Sequence, residues 1–237
     1  MAKAYVIALI LSIVCAFSCV PLTAKEKPGE PPEKMREMPL VFKETFEKGN
    51  ADRWQPSDAS AWKVIKQGDN HVYSLFKDCK YSPPVRSPVN FSLIKEVTVS
   101  DFVIEVMLKS TEPEYGHRDL CLFFGYQDPS HFYYVHLGSK ADAHANSIFI
   151  VNGEPRVSIA EKRTSGTKWD DEYHIVRVVR KTKSGKIKVF FDDLKKPVMT
   201  ATDKTFTWGR LGVGSFDDRG NFDNVRIRGM AVKHSKE

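Results

Sequence analysis

Apolar and polar residues alternate with a period of two through most of this chain, and no window of a dozen residues carries a helical stripe. In Asp101–Ser110, Phe102, Ile104, Val106 and Leu108 fall on one side and Val103, Glu105, Met107 and Lys109 on the other. His174–Lys181 alternates in the same way, and Ile187–Asp192 continues it into the acidic turn Asp192–Lys195. Leu120–Tyr126 and Phe132–Leu137 are apolar on both sides, as central strands covered on two faces would be, with Asp128-Pro129-Ser130 turning between them. A further hairpin is expected from Ser147–Val151 to Arg156–Ala160 around Asn152-Gly153-Glu154-Pro155. Glycine and proline punctuate the rest at short intervals. The pattern predicts an all-β chain, a two-sheet antiparallel β-sandwich of the jelly-roll kind.

The ends read differently. Lys3, the apolar run Tyr5–Val20 and the small-residue exit Leu22-Thr23-Ala24 form a secretory signal peptide over residues 1–24. The alternative is a lipoprotein leader using Cys19, but Ala16-Phe17-Ser18 departs from the leucine-led motif such leaders carry. Residues 25–39 are rich in Lys, Glu and Pro and have too little apolar surface to fold, so they read as a tether. One domain is expected over 40–232, with a polar tail at 233–237. The expected location is therefore periplasmic or extracellular. No second apolar run suggests a membrane span.

The chain carries a net charge of +6, and loss of Lys3 with the leader would leave +5. Its Lys and Arg are scattered rather than clustered with stacking aromatics, which argues against a nucleic-acid partner. Four cysteines are present, and Cys15 and Cys19 fall in the leader. Cys79 and Cys121 remain, and two cysteines in an exported chain suggest one disulfide. It would close a loop of about forty residues, worth ~4 kcal/mol by chain entropy. Two separate buried thiols are the other reading, which the apolar strand around Cys121 fits.

The segments FKETFEKGNADRW (42–54), AWKVI, DFVIEVMLKS, DLCLFFGYQDPSHFYYVHLG, HIVRVVRKTKSGKIKVFFDD and GRLGVGSFDDRGNFDNVRIRG follow one another in an order that resembles the concanavalin A-like lectin/glucanase superfamily. The similarity extends to the laminin-G-like and glycosidase-like modules of secreted bacterial proteins and covers about Phe42–Gly229. It implies that the first and last strands pair. It also implies a structural calcium near them, held by Glu47, Gly49, Asn221 and Asp223, whose hard oxygens suit that ion. The other reading is that Glu47 and Asp223 cap turns. Retaining glucanases of the superfamily place two carboxylates on one strand face. Here Met107 stands where the bridging Asp after Glu105 should be, and Lys109 or Ser110 where the second carboxylate should be, so the standard mechanism is not expected. Glu105 is then a solitary acid that pairs with a residue such as Arg177 on the next strand.

A polar cluster remains: Tyr115, His117, Arg118, Asp119, Asp128, His131, His136, His144 and Asn146. His131 and His136 are an odd number apart and should face opposite sides of one strand. His117, Arg118, Asp119, His144 and Asn146 fall at strand ends or loops, where binding residues concentrate. With Tyr133, Tyr134 or Trp169 as a stacking plane, they would suit a sugar. They could equally satisfy one another. The sequence therefore points to an exported, non-catalytic binding module with carbohydrate as its partner. The alternatives are a glycoside hydrolase, similar to the keto-disaccharide hydrolases and using His117, Arg118, Asp119 and Glu105, or an envelope domain that binds another protein.

Overall fold

The structure, a computed structural model, describes residues 37–233. The expected leader, most of the tether, the end of the polar tail and Cys19 lie outside the described residues. Fifteen strands carry the described chain, with a single turn of 3-10 helix at Ala59–Ala61. The first four are β1 (Leu40–Glu44), β2 (Trp54–Pro56), β3 (Trp62–Gln67) and β4 (Asn70–Leu75). The long β5 (Asn90–Ser110) is followed by β6 (Asp119–Asp128), β7 (His131–Gly138), β8 (Ser147–Asn152), β9 (Val157–Ser158) and β10 (Ala160–Arg163). The chain ends with β11 (His174–Lys181), β12 (Lys186–Phe191), β13 (Met199–Thr202), β14 (Gly209–Ser215) and β15 (Gly220–Ala231). Among the described residues no helix is long and apolar enough to cross a membrane.

All pairings are antiparallel, and β5 serves both layers. Its last half pairs with β11 and β15, and its first half with β2 and β14. The first layer continues from β11 through β12 and β13 to β10, and from β15 to β1 and β4. The second continues from β14 through β6, β7 and β8 to β9. β5 begins at Asn90, well before the alternating run at Asp101, because its first half packs apolar residues on both faces and hides the period of two.

Between the layers lies the main core. Ile104, Val106, Leu108, Val176, Val178 and Ile227 face Leu122, Phe124, Tyr133, Val135 and Val213. The opening and closing motifs are part of it. Phe42 meets Trp54 edge-on at 5.8 Å, Phe46 stacks on Tyr73 at 5.3 Å, and Trp62 bridges Tyr73 and Phe222. Pairing of β1 with β15, Phe42 opposite Ile227, joins the two ends of the domain. The two motifs therefore carry an aromatic staple, where each buried ring contributes on the order of 2 kcal/mol.

Each layer also has an outer face. On the first, Val103, Val179 and Phe190 are covered by Met38 and Leu194. On the second, Phe91, Leu93, Phe123, Phe132, Tyr134 and Phe149 form a ring-rich surface under Tyr81 and Val85 of the 76–89 segment. This cover explains why β6 and β7 read as apolar on both sides.

Candidate functional site

Three loops meet at one end of the sandwich: residues 111–118 after β5, 139–146 after β7 and 164–173 after β10. Backbone bonds lace them together. Ser139 N donates to Arg118 O at 2.9 Å, Lys140 N to Gly116 O at 3.1 Å, and Thr167 N to Gly138 O at 2.8 Å. A Cβ at Gly166 would stand 1.9 Å from Ser139 O, so only glycine permits this approach. Between the loops is an open groove of about 490 Å³ walled by Glu114, Tyr115, Ser139, Lys140, Lys168 and Trp169. Trp169 is fixed by its Nε1–H bond to Leu137 O at 2.7 Å, whereas Tyr115 is 40% exposed. Aromatic planes with flanking charges and hydroxyls can stack on one face of a polyol ring and bond its hydroxyls.

The sequence-derived candidates divide here. Arg118 is buried and faces inward: its Nε donates to Ser110 Oγ at 3.0 Å, and its Nη2 donates to Ser110 O at 3.1 Å and Asp170 O at 2.9 Å. Asn146 is also buried, donating to Thr164 O at 2.9 Å and accepting from Thr167 Oγ1 at 3.0 Å. Both clamp the loops beneath the groove through bonds to loop carbonyls and hydroxyls, with Asp171 Oδ1 also 3.3 Å from Arg118 Nη2. His117 and His144 are exposed on neighbouring loops, with Asp142 4.0 Å from His117 Nδ1. Tyr133 and Tyr134 are fully buried and offer no stacking plane.

Asp119 turns to the outer face of the second layer. There it accepts from Phe216 N at 2.9 Å and from Cys121 Sγ at 3.3 Å, and its Oδ2 stands 3.2 Å from His136 Nε2. Asp218 accepts from Asp119 N at 2.7 Å and from the Tyr115 hydroxyl. Burial, with the charge of Asp119 adding to it, pushes the Asp218 carboxyl up to about 7; burial also raises Asp217 and lifts the Cys121 thiol. Arg156 lies over Phe216 at 3.8 Å and Phe149 at 5.2 Å along the border of this cluster. Cys121, Arg156, Asp217 and Asp218 are not among the binding residues expected from the sequence. As expected, His136 shares a face with Tyr134, whereas His131 points the other way, toward Phe206.

Glu105 and Arg177 sit elsewhere, on the outer face of the first layer. They are cross-strand partners, with Arg177 Nε 2.7 Å from Glu105 Oε1. Glu105 is therefore not brought together with the other residues of the expected hydrolase site: Asp119 lies on the outer face of the other layer, and His117 and Arg118 lie on the end loop between β5 and β6. The expected disulfide is also absent. Cys79 and Cys121 are free buried thiols, one in the main core and the other among the rings of the second layer's outer face.

At the expected calcium positions, Glu47 is bonded by His71 N and Nδ1, both at 3.2 Å. Asp223 Oδ2 accepts from Asn70 and Asn224, each at 2.9 Å. Gly49, at φ +71, closes a turn onto Phe46 O. Only Asn221 Oδ1 among them is buried without a partner.

No protein-family model matches the chain, and no curated protein matches it in sequence. Solved structures do. The carbohydrate-binding module CBM66 from Bacillus subtilis superposes with a TM-score of 0.54 at 17% identity, covering 76% of this chain and 98% of that one. Domain 4 of the extracellular arabinanase AbnA from Geobacillus stearothermophilus, solved with arabinotriose, gives 0.54 at 11% identity over 83% and 95%. A Bacillus subtilis protein with a galectin-like fold gives 0.53 at 11% identity over 82% and 97%. These similarities show the fold alone: the described chain is a two-layer antiparallel β-sandwich of the kind these structures share.

Proposed function

We propose that the chain is an exported, non-catalytic carbohydrate-binding module that holds a glycan in the groove between Tyr115 and Trp169. The observation that carries this reading is the groove itself. It is concave, rigidly laced, lined by an exposed phenol and an anchored indole, and flanked by Lys140, Lys168 and Glu114 as hydroxyl partners. Two structures that share the fold are described as a carbohydrate-binding module and an arabinanase domain bound to arabinotriose, which supports the assignment of ligand class. Arg118 and Asn146 serve this function from below by fixing the loops.

A glycan-array screen followed by calorimetry tests it. A selective hit is expected, with Tyr115→Ala and Lys140→Ala each lowering affinity about tenfold, the loss of one good contact, without loss of fold. A blank array, or an affinity indifferent to both substitutions, overturns the reading. A structural calcium would sit at the β4–β15 edge beside the unpartnered Asn221 Oδ1, near Glu47 and Asp223. Chelator should then lower the Tm, and an unchanged Tm removes the ion from that edge.

A further inference from the structure

We propose that Asp119, Cys121 and His136 form a binding site for a divalent transition metal of the zinc class, on the outer face of the second layer and separate from the glycan groove. Cys121 and His136 are direct cross-strand partners, and Asp119 lies two residues before Cys121 on the same strand face. Their ligating atoms all fall within 4.8 Å of one another, a spacing that one ion can bridge. All three side chains are buried.

Two independent features point to a cation. First, His136 Nδ1 donates to the His144 carbonyl at 3.1 Å. That bond fixes the tautomer and turns Nε2 toward the thiol and the carboxylate, 3.2 Å from Asp119 Oδ2. A ring nitrogen oriented in this way by a backbone carbonyl is the usual arrangement of a metal-ligating histidine. Second, two fully buried oxygens lack partners. One is Asp119 Oδ1; the other is the hydroxyl of Tyr134, which sits two residues before His136 on the same face with ring centroids 6.4 Å apart. Unpaired acceptors and hydroxyls in an apolar setting are costly, and an ion would satisfy them.

The local charge agrees. Asp119, Asp217 and Asp218 gather there, and Arg156 is the cation at their border. A donor set of sulfur, nitrogen and carboxylate oxygen favours zinc-like ions over calcium or magnesium. Binding would replace the Cys121 S–H bond with a sulfur–metal bond, releasing the thiol proton to solvent. Three protein ligands leave one position, which Tyr134 or an exogenous group could take.

The rival occupant is a proton shared between His136 and Asp119, forming a buried ion pair without metal. Cobalt distinguishes the two. The full chain, stripped with chelator, is titrated with Co2+ and then Zn2+ in the absence of sugar. The expected result is a single bound cobalt with thiolate-to-metal charge-transfer absorption, displaced by zinc. Cys121→Ser should abolish the absorption, and His136→Gln should weaken binding at least tenfold. A Cys15→Ser/Cys19→Ser/Cys79→Ser variant, in which Cys121 is the only thiol, should keep the absorption. That variant carries the assignment if Cys121→Ser fails to fold. Folded wild-type protein with no charge-transfer band overturns the proposal, as does a band that persists in folded Cys121→Ser or disappears in the triple variant. Because no glycan is used, the result is independent of the groove's ligand.

Discussion

The two outer faces of the sandwich solve the same problem in different ways. On the first layer, buried Arg177 and half-buried Glu105 lie beside Val103, Val179 and Phe190, and the two charges bond each other across adjacent strands. On the second, Asp119, His136 and Tyr134 are buried among rings, and although Asp119 Oδ2 lies 3.2 Å from His136 Nε2, Asp119 Oδ1 and the Tyr134 hydroxyl lack hydrogen-bond partners. A polar group on a sheet face thus says little about function by itself. What distinguishes a scaffold pair from a candidate site is whether its bonding capacity is filled from within.

The acids on the two faces also lean in opposite directions. Asp101, on the first, is lowered despite burial, because Thr182 N and Oγ1 bond it and Lys181 sits nearby. Asp217 and Asp218, on the second, are raised.

The largest test of this contrast is Arg177→Ala. Removing the buried guanidinium and unpairing half-buried Glu105 should cost about 3 kcal/mol in urea unfolding; a cost below about 1 kcal/mol would mean that the pair does not hold that face. Next comes pH. In metal-free protein the folded pKa of Asp218, about 7, exceeds its ordinary value of 3.8. Its neutral form is therefore favoured by folding, and stability from this residue declines as pH rises from about 4 to 7, then levels off. Asp218→Asn should flatten that decline, gaining about 2 kcal/mol at pH 8 after discounting for solvent relaxation and little at pH 4. Asp101 has the opposite sign: its contribution is present above the ordinary carboxylate range and is lost as pH falls through its lowered pKa.

Asp119→Asn should be smaller. In metal-free protein it relieves repulsion from Asp217 and Asp218 while keeping the acceptor for Phe216 N, so stability should stay within about 1 kcal/mol of wild type or rise. A loss of 3 kcal/mol would show that the His136 ion pair already satisfies this face. Smallest is Tyr115→Phe, which removes one part-buried hydroxyl bond to Asp218 and should shift stability by about 0.5–1 kcal/mol.

How legible this was in the sequence depended on the register. The alternating strands β11, β12 and the second half of β5 announced themselves, and Glu105 with Arg177 could be paired because both lay on such strands. Cys121 and His136 could not. Counting from Asp128 opposite His131 would set Cys121 across from Gly138. An irregularity between Phe124 and Asp128, where Gly125 takes φ +59, moves the register and brings Cys121 opposite His136 instead. Arg118 and Asn146 were found as polar loop residues, but their inward orientation depends on carbonyls of Ser110, Thr164 and Asp170, contributed by distant parts of the chain. The role of Trp169 was visible as an aromatic in a polar loop, whereas its anchoring to Leu137 was not.

The most direct test of the account is a crystal structure of the chain with an oligosaccharide selected on the array. Sugar density is expected in the groove, with a ring against Tyr115 or Trp169 and hydroxyls within bonding distance of Lys140 or Glu114. A sugar seated instead on an outer face or along a strand edge, with the groove empty, would contradict it.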